Sequence, residues 1–195
     1  MPATGEPKLA GTVAVYGGSF NPPHMCHQIA VLYALECAGA DAVWLVPCHR
    51  HAFAKALAPY DLRRAWCEAL AAPFGERVRI SDIERELGGE SRTIDTMDAL
   101  AARHPDLRFS LVLGSDIRAE RNAWKRFDEL ERRFPILWIG RMGHAESADD
   151  ALVLPDVSSR RIRCLLREGG DASDFVPRRV LDAVRASGWR WPEEK

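Results

Sequence analysis

Short apolar runs alternate with amphipathic stretches along most of the chain. TVAVY at 12–16, AVWLVP at Ala42–Pro47, VRI at Val78–Ile80, FSLVL at 109–113 and ILWI at 136–139 are mostly continuous aliphatic or β-branched runs. A strand covered on both faces has no reason to alternate apolar with polar positions, so these runs read as parallel strands lying under helices. Between the first two, Val31, Ala34, Leu35 and Ala38 fall at i, i+3, i+4 and i+7, one stripe of a helix. Further helices are predicted at 60–72, Thr93–Arg103 and 124–133. After Gly143 the pattern changes. Residues 143–150 are polar and read as a loop, and Leu152–Leu154 is a short apolar piece. Two amphipathic helices follow, one carrying Ile162, Leu165 and Leu166, the other Val180, Leu181 and Val184.

Strand–helix alternation with right-handed crossovers gives an α/β fold: a doubly wound, Rossmann-like parallel sheet of five to six strands, helices on both faces, and a C-terminal helical segment. One domain is expected, with its core over 12–142 and a helical part over 151–191. Ligands of such sheets bind beyond the carboxyl ends of the strands, so residues that follow strands are the candidates.

Composition narrows the class. At 195 residues the chain is long enough to bury roughly 70% of its unfolded surface without a metal or disulfide staple. A charged fraction of 28% and a hydrophobic fraction of 47% exclude disorder, collagen-like repeats and a coiled coil. With 27 basic and 28 acidic residues the net charge is -1, so any polyanion site must be local, and neither nucleic acid nor membrane is an expected partner. Five cysteines, odd in number and without a C-x-x-C pair, argue for reduced thiols in a cytoplasmic protein. MPATGEPKLA at the start lacks the apolar core of a signal peptide, and no apolar run approaches the ~20 residues that span a bilayer.

The strongest chemical signal is GGSFNPPHMCH at 17–27, directly after the first strand run. Gly17 and Gly18 let the backbone turn sharply and approach a ligand, and the two prolines stiffen the loop. The helix start at 24–27 offers N–H groups and partial positive charge to an anion, while His24 and His27 lie on one side of the first turn. His24, Cys26, His27, Cys48, His49 and His51 together offer zinc-ligand chemistry. That reading is the weaker one, because adjacent ligands on one turn point apart and no usual ligand spacing appears. No G-K-[S/T] follows, so this is not a Walker A loop.

At 157–163, VSSRRIR places Ser158 or Ser159 as an N-cap. Arg160, Arg163 and Arg167 then recur on one face, either for an anion or as a solvated face balanced by Asp156 and Glu168. Asp116 follows a strand, where a carboxylate can hold a ribose hydroxyl or cap a turn. Trp124 can stack on a heteroaromatic ring or join the core. Trp44, Trp66 and Trp138 read as packing, Trp189 and Trp191 as fastenings of the C-terminal tail, and His104 and His144 as surface residues.

Residues 17–27 resemble the G-x-F-x-P-x-H-x-G-H signature of the nucleotidylyltransferase superfamily. Gly18, Phe20, Pro22, His24 and His27 match, and Cys26 stands where glycine is usual. Over residues 12–191 the chain is similar to the bacterial nicotinate-nucleotide adenylyltransferases. Lys55 and Arg63 stand where that family has a phosphate-binding lysine and a following arginine. SRTIDT at 91–96 resembles its S-Y-T-x-D-T stretch, with Arg92 for tyrosine. LGSD at 113–116 with Trp124 resembles its G-x-D…W segment, and 157–163 its I-S-S-T-x-I-R motif, with Arg160 for threonine.

The resemblance implies adenylyl transfer from ATP, with Mg²⁺, to nicotinate mononucleotide. His24, His27, Lys55 and Arg163 would act in catalysis. Gly17, Gly18, Ser19, Phe20, Gly114, Asp116, Ser158 and Ser159 would bind ATP, the C-terminal part closing over the triphosphate. Arg92, Thr93 and Trp124 would bind the mononucleotide. No resident metal site on the protein is expected, and a homo-oligomer is compatible with the sequence. Another phosphate acceptor (nicotinamide mononucleotide or phosphopantetheine) and a non-catalytic nucleotide sensor are the competing readings, the latter kept open by Cys26 and Arg160.

Overall fold

The computed structural model describes residues 11–50, 57–90, 92–143, 150 and 152–192. Its strands are β1 (Thr12–Gly18), β2 (Ala42–Pro47), β3 (Val78–Ile80), β4 (Arg108–Gly114), β5 (Ile136–Arg141) and β6 (Leu152–Leu154). They form one sheet in the order β3-β2-β1-β4-β5-β6 with every ladder parallel. Val13 pairs with Ala42 on one side and with Phe109 on the other. The chain winds outward from β1 to β3, then returns to β4 and winds the opposite way. That reversal leaves a crevice at the carboxyl ends of β1 and β4, where Gly18 and Gly114 sit.

Helices α1 (Met25–Glu36), α2 (Tyr60–Ala71), α3 (Ile83–Leu87), α4 (Thr93–Arg103), α5 (Ile117–Glu120), α6 (Phe127–Arg133), α7 (Ser159–Arg167) and α8 (Arg178–Ala186) cover both faces. Successive strand residues point to opposite faces, so each strand feeds two cores. Ala14, Val43, Leu45 and Val112 meet Val31 and Leu35 of α1, Trp66 and Leu70 of α2, and Val180 and Leu181 of α8. Val13, Val15, Trp44 and Leu111 meet Ile94, Met97 and Leu100 of α4 and Phe127 and Leu130 of α6. All six β2 residues are buried, as its unbroken apolar run requires.

The expected elements form, with local corrections. β1 runs two residues further, to Gly18, and the piece at 152–154 joins the sheet as its sixth strand. The helix expected at 124–133 begins only at Phe127. Arg126 is left-handed (φ 52°), which no α-helix tolerates, and bonds to Glu129 (2.7 Å) and Asp98 (3.7 Å) hold it there. His104 is partly buried rather than on the surface, packing edge-on to Trp44 with ring centroids 4.9 Å apart. Among the described residues no helix is long and apolar enough to cross a membrane.

Asn21 joins the motif loop to two parts of the C-terminal segment. Asn21 is 1% exposed, and its Oδ1 accepts from the Ala58 N–H (3.1 Å) and from Trp191 Nε1 (3.0 Å). Its main-chain oxygen accepts from Arg163 Nη1 (2.9 Å). Asn21→Ala would strand two buried donors, at about 1–3 kcal/mol each. A thermal melt should therefore fall by about 5–15 °C at this chain length. A loss under about 1 kcal/mol would mean that water replaces the amide.

Candidate active site

Gly18 is glycine for space. A Cβ there would stand 3.2 Å from Phe20 Cζ, because the Phe20 ring folds back beneath the loop. Phe20 holds a left-handed backbone (φ 44°) and is 1% exposed, so burial of its ring offsets a strained conformation. The ring lies edge-on to Tyr16 (5.7 Å) and His27 (5.1 Å). The Asn21–Pro22 peptide is cis. Ser19 presents its carbonyl to Arg63 Nη1 (3.0 Å), and Arg63 Nε donates to the Ala58 carbonyl (2.8 Å). Arg63 is 1% exposed, a brace beneath the loop rather than a reaching phosphate ligand.

His24 is the N-cap of α1 and His27 lies in its first turn. The His24 N–H donates to His27 Nδ1 (3.0 Å). A nitrogen that accepts carries no proton, so the neutral His27 ring bears its hydrogen on Nε2. The two rings are 3.8 Å apart, centroid to centroid. Burial, aided by the Arg141 charge, lowers His24 to about 3. His27 is held well below the usual histidine range by burial first, then by His24 and Arg141. At neutral pH the pair is uncharged and presents N–H donors, not imidazolium charge.

A cation beside the histidines is Arg141, the last residue of β5, whose charge reaches Tyr16, His24, Cys26 and His27. The sequence reading missed it, although it too ends a strand. Burial pushes the Tyr16 hydroxyl far up, and the Asp116 carboxylate adds to that shift. Asp116 follows β4 and directly precedes α5, making no side-chain cap bond to it. A Cβ at Gly114 would meet Asp116 Oδ1 at 2.3 Å, so only glycine lets that carboxylate fold back over the strand end. Cys26 Sγ lies 3.6 Å from the Pro155 carbonyl, and burial raises the thiol.

The start of α7 is clamped on the same loop. Ser158 caps it, Oγ accepting from the Arg161 N–H (3.3 Å), and Ser159 Oγ donates to the Pro22 carbonyl (2.9 Å). Arg163 reaches the Asn21 carbonyl, and Arg160 is exposed. The expected face of Arg160, Arg163 and Arg167 is divided: Arg167 donates to the Pro192 carbonyl (3.4 Å) of the tail. Four residues advance a helix by about 6 Å, which carries Arg167 past the loop.

A second group gathers at the start of α4. Arg92 caps the helix and pairs with Glu90 (2.7 Å), so it leans along the surface. Thr93 is the first residue of α4, and Lys125 bonds Asp95 (2.8 Å), pinning the Trp124 segment against that first turn. Trp124 is partly buried, edge-on to Phe127 at 5.9 Å. Lys55 and Ser91 lie outside the described residues, as does His51. Among the described residues no group of three or more His, Cys, Asp or Glu could hold a metal.

Residues 15–165 match the cytidylyltransferase-like family model. A curated protein of Myxococcus xanthus named "probable nicotinate-nucleotide adenylyltransferase" is 40% identical over 176 residues, covering 90% of this chain and 93% of its own. One of the same name from Anaeromyxobacter dehalogenans (strain 2CP-C) is 43% identical over 177 residues, covering 89% and 94%. Among solved structures, the Plasmodium falciparum nicotinic acid mononucleotide adenylyltransferase complexed with NaAD superposes with a TM-score of 0.77. That match covers 91% of this chain and 96% of the other at 18% identity, and it speaks for the fold alone.

The buried histidine makes stability depend on pH. Its folded pKa of about 3 lies below the unfolded value of about 6.5, so in acid the unfolded chain takes up a proton that the fold refuses. The stability present above the unfolded value is lost as pH falls. Between pH 7 and pH 5, His24 should cost about 2 kcal/mol in urea melts, and His24→Gln should be spared that loss. An equal loss in both proteins would put the His24 ring in water.

Proposed function

The chain belongs to the cytidylyltransferase-like family, among its nicotinate-nucleotide adenylyltransferases, and we propose on that premise that it transfers AMP from ATP to nicotinate mononucleotide, giving deamido-NAD and pyrophosphate. It is a nucleotidyltransferase of NAD biosynthesis. The observation that carries the chemistry is the pair of neutral, donor-bearing histidines at the capped start of α1, beside Arg141 and at the switch point of the sheet.

The acceptor phosphate already holds a competent oxygen nucleophile, so the protein's task is alignment and stabilisation of charge at the α-phosphorus. His27 Nε2–H and the His24 ring donate to phosphate oxygens as that charge develops, in a site where burial strengthens each bond. Arg163 and Lys55 take the β- and γ-phosphates and the departing pyrophosphate, and Arg141 adds a charge beside the histidines. The main chain of Gly17, Gly18, Ser19 and Phe20 approaches the nucleotide. Gly114 and Asp116 take its ribose, and Ser158 and Ser159 bring the start of α7 to the triphosphate. Thr93 and Arg92 head the helix that offers N–H groups to the nicotinate carboxylate, and Trp124 covers the ring.

Mg²⁺ would arrive on the ATP phosphates, where it neutralises charge on the transferring group. Mg²⁺ usually keeps several waters and takes phosphate oxygens among its ligands, so it needs no all-protein cage. Residues 12–142 form the catalytic core and 151–191 its clamp, a division supported by the Ser159–Pro22 and Arg163–Asn21 bonds. Five free thiols support a cytoplasmic setting.

The test is pyrophosphate release from Mg-ATP with a panel of acceptors. Nicotinate mononucleotide should exceed nicotinamide mononucleotide in kcat/KM by about 10- to 150-fold, the worth of a charge-assisted bond that an amide cannot make. Equal values would move the acceptor, and turnover with none would leave a sensor. His24→Ala and His27→Ala should each lower kcat by about 10²-fold. Near-normal turnover in both would remove the histidines from the chemistry. Arg92→Ala should shift the acceptor ratio less than about fivefold, because an exposed ion pair already occupies its charge.

A further inference from the structure

The tail residue Trp191 is 7% exposed, with its ring 5.6 Å from that of Trp66, yet its indole nitrogen serves a site 170 residues away. Nε1 donates to Asn21 Oδ1, which also accepts from Ala58 N–H. The Ala58 carbonyl accepts from Arg63 Nε, and Arg63 Nη1 donates to the Ser19 carbonyl. Bonds thus run from the tail to Asn21, on to Ala58 and Arg63, and back into the loop at Ser19. That loop holds the strained Phe20 backbone and leads directly to His24. A side chain at each end, both buried, makes the Trp191 bond a stiff tie.

We propose that Trp191 is a positioning residue for adenylyl transfer: its indole N–H fixes Asn21, and through Asn21 the loop that presents His24 and His27. The inference rests on the activity proposed above only for the reaction that is timed. It concerns placement of the phosphate-holding loop, not binding at α4, since none of the bonds described for Arg92, Thr93 or Trp124 reaches the tail.

Trp189 supplies a control within the same tail. Its Nε1 is buried with no hydrogen-bond partner among the described residues, so Trp189→Phe removes a ring nitrogen that positions nothing. In Trp191→Phe the ring remains for Trp66 while the donor is lost. Its kcat should fall about three- to tenfold, the worth of one net hydrogen bond, with the mononucleotide KM unchanged. Trp189→Phe should keep the wild-type kcat. A purely structural role for Trp191 would instead lower the melting temperature and leave kcat per folded molecule intact.

If Trp191→Phe does not fold, 3-benzothienylalanine at position 191 exchanges only the N–H for sulfur and tests the same bond. Wild-type kcat in that protein, or in folded Trp191→Phe, overturns the inference. An inactive wild type would instead sink the proposed reaction, and the two failures are told apart in one assay.

Discussion

One buried amide holds the motif loop in place. Asn21 takes donors from Ala58 and Trp191 on its side chain and from Arg163 on its main chain, three segments distant in sequence. A buried carbonyl oxygen is costly to leave unmet, and so is each of the donors it serves. The loop is therefore set by long-range partners more than by its own residues. This explains how it can keep a left-handed Phe20 and a glycine pressed against the phenyl ring. Local strain of this kind persists only where the surroundings overdetermine it.

Charge at the site follows from the same burial. The two histidines sit where protonation is disfavoured, and Arg141 reinforces that, so positive charge is carried by arginines on other elements while the histidines act as donors. The division suits a phosphate chain: guanidinium groups bind several oxygens, whereas a neutral N–H aims at one. It also reconciles a net charge of -1 with a polyanionic substrate. Elsewhere Arg77 pairs with Glu36 at 2.7 Å and Arg121 with Asp128 at 2.8 Å, exposed contacts that contribute about 0–1 kcal/mol each and balance charge away from the crevice.

Most of the fold was legible because its signals are local. Continuous apolar runs marked the strands, and the glycine pair that ends β1 marked the crevice. Ser158 capped its helix as the sequence implied. What escaped depends on partners far along the chain. Arg141 differed from Arg133, which pairs with Asp98 at 2.6 Å on the surface, only in ending a strand rather than a helix. Arg63 stood in the sequence only as an arginine following Lys55, and its bracing role is visible only once the Ser19 and Ala58 carbonyls surround it. The Arg160–Arg163–Arg167 stripe is helical as read, but Arg163 meets the Asn21 carbonyl and Arg167 the Pro192 carbonyl of the tail. The break before Phe127 hid in the same way, in a left-handed Arg126 held by side-chain pairs.

Cys26 shows which of the familiar glycines answer to a backbone demand. At Gly18 and Gly114 the demand is for side-chain room, since the Phe20 ring and the Asp116 carboxylate lie where a Cβ would stand. Position 26 lies inside α1, where any residue is at ease, so glycine is needed there only if something packs against it. In this chain the sulfur points to the Pro155 carbonyl, on the segment that leads into α7. Cys26 therefore adds a contact between the first turn of α1 and the C-terminal clamp, beside the bond from Met25 N–H to the Phe175 carbonyl (2.9 Å). Both contacts draw the clamp toward the helix start that carries the histidines. A triphosphate bound to that start and to α7 would reinforce this joint, because a ligand stabilises the arrangement that holds it.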